Sequence, residues 1–93
     1  MQFEWDERKR TSNREKHGID FEDAPAVFSP DMIVFEDHRR EYGEQRYIGM
    51  GTLCGRIVVT VFTVRGDTVR IISMRKANRR EAAYYEKTTE DRS

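Results

Sequence analysis

Apolar side chains are spread unevenly along this chain. None of the aliphatic or aromatic types occurs between residues 7 and 17, whereas residues 57–64 (Ile-Val-Val-Thr-Val-Phe-Thr-Val) are apolar on both alternating faces. Gln2–Trp5 alternates apolar and polar side chains, which predicts a short edge strand. Asp6 is a good N-cap for a helix over Glu7–His17, and Gly18 is the residue expected just past its end. That helix lacks the usual apolar stripe. Asp6, Lys9, Asn13 and His17 instead set four polar groups on roughly one face. Such a helix either rests on its aliphatic stems, with Trp5 as an anchor, or uses its polar face. Asn13 is expected to serve buried backbone groups. For His17 a structural and a chemical role both stay open.

Residues 19–28 predict a second helix, capped by Asp20 and stapled by Ile19 and Ala24, with Phe21, Ala24, Val27 and Phe28 facing the core. Pro25 inside it would remove a hydrogen bond, so the helix should start later or bend there. Four strands follow. Residues 32–35 are continuously apolar, and residues 36–44 read as a charged, solvated loop without core-forming side chains. Residues 45–53 form the next strand, where Gly49 and Gly51 leave room for a close neighbour or a bulge. After a turn at Cys54-Gly55, residues 56–64 form the strongest strand, expected mid-sheet, and residues 65–67 reverse it into the last one. From residue 68 a β-branched strand hands over to a helix, with Asn78 and Glu81 at the spacing of a reciprocal cap. The polar tail, residues 88–93, is expected to fray. The order β-α-α-β-β-β-β-α makes a single α+β domain over residues 1–93, an antiparallel meander with its helices on one side.

Composition narrows the function. The hydrophobic and charged fractions are both 37%, which implies a thin core, a charged surface and a fold that leans on a partner. One cysteine, Cys54, excludes an internal disulfide, and the absence of a leader or an apolar span points to a cytoplasmic address without membrane contact. The net charge of zero conceals an asymmetry: residues 19–45 carry eight acids and two bases, residues 56–80 seven bases and one acid. Arg70, Arg75, Lys76, Arg79 and Arg80 gather at the last strand-to-helix junction, followed by Tyr84 and Tyr85. Cations beside aromatic rings suit a ligand with phosphates and flat bases. By simple alternation Arg70 and Arg75 point to opposite faces unless a bulge intervenes, and Arg75 is the better placed.

Metal catalysis finds no support, since His17 and His38 are far apart and neither has ligand spacing with Cys54. Cys54, at a hairpin turn, lacks a nearby base, and neither a phosphate-binding glycine loop nor a dinucleotide fingerprint is present. No cofactor is therefore expected. Metal-free cleavage of RNA fits what remains. The ribose 2′-hydroxyl is itself the nucleophile, arginines can hold the developing charge, and an imidazole such as His17 suits proton transfer. Tyr84 or Tyr85 could act as an acid or as a stacking surface.

Two blocks carry a family resemblance. Phe3-Glu4-Trp5-Asp6 with Lys9, Asn13, Lys16-His17-Gly18 and Phe21-Glu22 resembles the start of the BrnT family of bacterial toxins. Arg70-Ile71-Ile72-Ser73 with Arg75, Ala77, Arg80-Glu81 and Tyr85 resembles its end, departing at Met74, where a small residue is more usual. The resemblance implies a fold like the RelE-type ribonuclease toxins, growth arrest through RNA cleavage, and a cognate BrnA-like antitoxin. That antitoxin would bear a ribbon-helix-helix end, assemble in a 2:2 complex through its own dimerisation and read the operator, so that the complex represses its operon. The resemblance makes Lys16, His17, Arg75, Arg80 and Tyr85 the catalytic candidates. Arg70, Lys76, Arg79 and Tyr84 are the RNA-binding ones. The competing reading is a non-catalytic basic module that binds nucleic acid or an acidic protein.

Overall fold

A computed structural model describes residues 1–92. The chain runs β1 (Gln2–Trp5), α1 (Glu7–His17), a 3₁₀ turn (Phe21–Asp23), α2 (Ala24–Val27), β2 (Ile33–Glu36), β3 (Tyr47–Leu53), β4 (Arg56–Arg65), β5 (Thr68–Lys76) and α3 (Arg79–Asp91). The strands form one sheet in the order β1-β5-β4-β3-β2. This is the expected α+β class, with two departures. β1 is an edge strand, but it joins β5 in parallel, so the antiparallel meander covers only β2 to β5. The helices also do not share one side: the α1–α2 segment covers one face, while Tyr85 of α3 packs with Ile33, Met50 and Val59 on the other.

The first face holds the larger core. Ile19, Phe21, Ala24 and Val27 close over Val58, Phe62, Val69, Ile71 and Met74. Phe3, Phe28, Phe62 and Tyr47 form a chain of ring contacts at 5.2, 4.9 and 5.6 Å between centroids. The segment predicted as one helix over residues 19–28 is two short pieces. Asp20 caps the first by accepting from the Glu22 amide, and Pro25 falls at the start of the second, where its missing N–H costs nothing. Gly51 is needed where this segment crosses the sheet, because a Cβ there would lie 2.5 Å from the Val27 carbonyl oxygen. At the other end the reciprocal Asn78–Glu81 cap forms as predicted, and α3 continues to Asp91, through the part of the tail expected to fray; Ser93 lies outside the described residues. Among the described residues no helix is long and apolar enough to cross a membrane.

α1 is fastened by polar groups. Its one buried residue, Asn13, gives its amide N–H groups to the carbonyls of Met74 (2.8 Å) and Ile19 (3.1 Å), and its oxygen accepts from the Met74 amide (3.1 Å). β1 pairs with β5 only as far as Ile71. Beyond that point β5 has an unpaired edge, and the Asn13 side chain substitutes for the missing strand at Met74. A second attachment lies on the outside, where Arg10 donates to both oxygens of Asp20 at 2.8 and 3.1 Å and Arg14 adds a longer contact.

The sequence alternation of β5 is broken by a bulge. Val61 pairs with Ser73 and Phe62 with Ile71, which leaves Ile72 as the extra residue. Val69, Ile71 and Met74 therefore all face the larger core. Arg70, Ser73 and Arg75 all face the opposite way, so the exception to simple alternation is realised here.

Two stability measurements check these attachments. Asn13→Ala leaves three buried backbone groups unpaired and is expected to cost about 2–3 kcal/mol, read as a lower urea midpoint with an unchanged m-value. A loss below about 0.5 kcal/mol would mean that water replaces the amide. The hydrogen bonds from Arg10 hold the Asp20 carboxyl well below the usual carboxylate range. A depressed folded-state pKa gives stability that is complete above the unfolded value of about 4 and is lost as pH falls below it. The acid limb of a stability–pH curve should therefore flatten in Asp20→Asn.

Candidate active site

The open face of the sheet and the start of α3 enclose a cleft of about 570 Å³. Its floor is apolar, formed by Phe35 of β2, Ile48 and Met50 of β3, and Val59 and Val61 of β4. Its walls are cationic. Arg75 and Ser73 reach in from β5, Arg80, Glu81 and Tyr84 from α3, and Arg39 from the β2–β3 loop. Strand register explains the floor, since Ile33, Met50 and Val59 align across three strands, as do Phe35, Ile48 and Val61. The bulge at Ile72 explains why Ser73 and Arg75 join them.

Arg75 is fixed by Glu81. Nη1 and Nη2 donate to the two carboxylate oxygens at 2.8 Å each, and the same carboxylate accepts from the Asn78 amide at 2.9 Å. One glutamate thus starts α3 and orients the guanidinium. The pairing raises the Arg75 pKa further and lowers that of Glu81, in each case mainly through their mutual hydrogen bonds. A planar guanidinium held in this way presents its remaining N–H edge without having to search for it.

Lys16 and His17 lie in a second, smaller depression of about 310 Å³, between the α1 face bearing Arg8, Lys9, Ser12 and Asn13 and the bulge at Ile72 and Ser73. Ser73 lines both depressions, so the two adjoin at the bulge. Opposite ends of the chain meet along this line through the Asn13 clamp.

The other sequence-based candidates divide. Arg80 and Tyr84 line the cleft, and Tyr84 is 51% exposed. Tyr85 does not line it: it is 7% exposed, packed on Ile33, Met50 and Val59, and burial pushes its hydroxyl pKa up. Helical geometry separates the adjacent tyrosines by about 100°, so one faces the sheet and the other the cleft. Arg70 shares the open face but is engaged by Glu4 of β1 and lines neither depression. Lys76 and Arg79 are exposed and also lie outside both.

Three cleft residues escaped the sequence analysis: Arg39, Glu81 as an arginine partner, and Ser73. For Glu81 its evident capping role hid the second one. Ser73, a small polar residue within a strand, carried no signal of its own. For Arg39 there was one usable signal, a carboxylate (Asp37) just after an apolar strand, two residues before an arginine and five before a tyrosine.

A comparison with individual curated proteins gave no match. A sequence model of the family described as "Ribonuclease toxin, BrnT, of type II toxin-antitoxin system" matches residues 5–81, a span that holds Lys16, His17, Arg75, Arg80 and Glu81 and stops short of Tyr84 and Tyr85. The match extends over most of the chain and over every residue that lines the two depressions except Tyr84: the chain belongs to the BrnT family, the ribonuclease toxins of type II toxin–antitoxin systems.

Proposed function

We propose that the cleft beside α3 is the RNA-cleaving centre of this toxin and that it works without a metal ion. The observation that carries this reading is the adjacency at Ser73: a cleft with two family-block arginines, Arg75 and Arg80, borders the depression that holds Lys16 and His17. In the reaction the ribose 2′-oxygen bonds to the neighbouring phosphorus while the bond from phosphorus to the 5′-oxygen breaks. The 2′-hydroxyl loses its proton to an acceptor and the departing oxygen gains one from a donor, leaving a 2′,3′-cyclic phosphate and a 5′-hydroxyl. Arg75 and Arg80 hold the non-bridging oxygens as charge develops on them. His17 and Lys16 supply the proton acceptor and donor. Tyr84 stacks on a base, with the apolar floor beneath it. Glu81 is a positioning residue, presetting the Arg75 fork. Tyr85 packs on Met50 and Val59 beside the cleft and takes no direct part.

An antitoxin partner follows from membership of a type II toxin–antitoxin family. We propose that it is BrnA-like, with a ribbon-helix-helix end that dimerises to give a 2:2 assembly and alone reads the operator. The competing reading, a basic module that binds without cutting, leaves His17 without work to do.

Toxin separated from its partner is expected to cut single-stranded RNA in the presence of EDTA and to leave cyclic phosphate ends. Arg75→Ala should lower kcat roughly 10²-fold, as loss of one charge-stabilising donor does elsewhere, and His17→Ala should lower kcat with little change in KM. Folding of each variant is checked by circular dichroism. Folded variants as active as the parent would remove these residues from the centre, and EDTA-sensitive cleavage would overturn the metal-free route. RNA binding without cleavage by the parent would favour the binding module.

A further inference from the structure

The loop between β2 and β3 is anchored from inside. Asp37 follows directly on β2 with its side chain fully buried, at 0% exposure, and four hydrogen bonds converge on the carboxylate. Arg39 donates Nε and Nη2 at 2.8 Å each, the Arg39 backbone amide donates at 3.1 Å, and the Tyr42 hydroxyl at 3.0 Å. The Arg46 guanidinium then covers the Tyr42 ring at 4.1 Å, and the Asp37 amide donates to the Arg46 carbonyl at 2.8 Å. Residues 38–45 are exposed apart from the half-buried Tyr42, as expected from sequence, but the turn they form is anchored around one buried carboxylate.

This construction delivers Arg39 to the cleft wall opposite Arg75 and Arg80. Both Arg39 bonds to Asp37 use Nε and Nη2, so Nη1 lies outside this pairing. The side chain stays 62% exposed although its partner is fully buried. The Arg39 charge also acts on Arg75 and Glu81, which lie far from it in sequence. The two sides share one design: a carboxylate fixes the plane of a guanidinium that lines the cleft. A loop staple alone would give no reason to bring a largely exposed guanidinium to a cleft that already holds two other arginines.

We propose that Arg39 forms a second phosphate subsite, contacting a backbone phosphate next to the one held by Arg75 and Arg80, with Asp37 as its positioning residue. The inference rests on the ribonuclease reading for its ligand, single-stranded RNA, but its test does not depend on cleavage. An RNA that bridges the cleft would meet guanidinium groups on both walls and stack its bases over the apolar floor.

The test is binding of a labelled 2′-O-methyl oligonucleotide, which cannot be cut, measured by fluorescence anisotropy across a salt series. Arg39→Ala is expected to weaken binding about tenfold and to reduce the log Kd against log salt slope by about 0.7, the loss of one single-strand phosphate contact. Arg39→Lys should restore the slope but not the affinity, because the charge returns without the fork. Asp37→Asn should keep the slope and lose several-fold in affinity. Arg40→Ala, which removes a neighbouring cation outside the cleft, should change binding by less than about twofold. Unchanged slope and affinity in Arg39→Ala overturn the subsite, as does an equal effect of Arg40→Ala. If the parent binds as expected yet cuts no natural RNA, the catalytic reading falls while the subsite stands.

Discussion

The side chain of Asn13 completes a strand edge that the backbone leaves open. β1 departs from β5 after Ile71, and both polar groups of Met74 would face an unfilled edge without a partner. One amide supplies both. The helix carrying it needs no apolar stripe, because Arg10–Asp20 and Asn13 hold it where hydrophobic packing would in an ordinary helix. This clamp sits one residue from Ser73 and at the end of a bulge that turns Ser73 and Arg75 to the open face. Helix attachment, strand irregularity and placement of cations are thus one local solution, and the meeting of the two chain ends depends on it.

The open face combines an apolar floor with charged walls. Phe35, at 40% exposure, is a large apolar side chain left uncovered on this side. Met50 and Val59 beside it are buried, so the exposed edge of the floor is at Phe35, which fits a surface covered by bases or by a partner. The charges are arranged for direction more than for quantity. Glu81 and Asp37 each neutralise part of a neighbouring guanidinium and in return fix its orientation. Arg80, exposed on α3, has no ion-pair partner among the described residues and contributes unpaired charge. Even-handed composition at zero net charge therefore coexists with a directed cationic edge.

Much of this was legible in the sequence because it rests on local chemistry. The Asp6 and Asn78 caps, the left-handed Gly18, the Cys54 turn, the crowded Gly51 and the buried Asn13 each follow from a residue type with few alternatives at its position. Elements that depend on distant partners were not legible. The parallel pairing of β1, the position of α3 on the far face and the bulge at Ile72 are set by packing between remote segments. The site was read in halves for the same reason. Lys16, His17, Arg75 and Arg80 came from family blocks, but Arg39 lay in a run of charges whose order comes from one buried carboxylate. Tyr84 and Tyr85 exchanged emphasis because adjacent residues on a helix cannot share a face.

The central claim is that one RNA strand touches both depressions at once. Backbone and side-chain NMR of the labelled toxin, titrated with a non-cleavable RNA, reads this directly. The expected result is a single set of saturating shifts, with one shared Kd, at Lys16–His17, Ser73, Arg75, Arg80 and Tyr84. Shifts confined to the α1 side or to the α3 side, or two sets with different affinities, would contradict it.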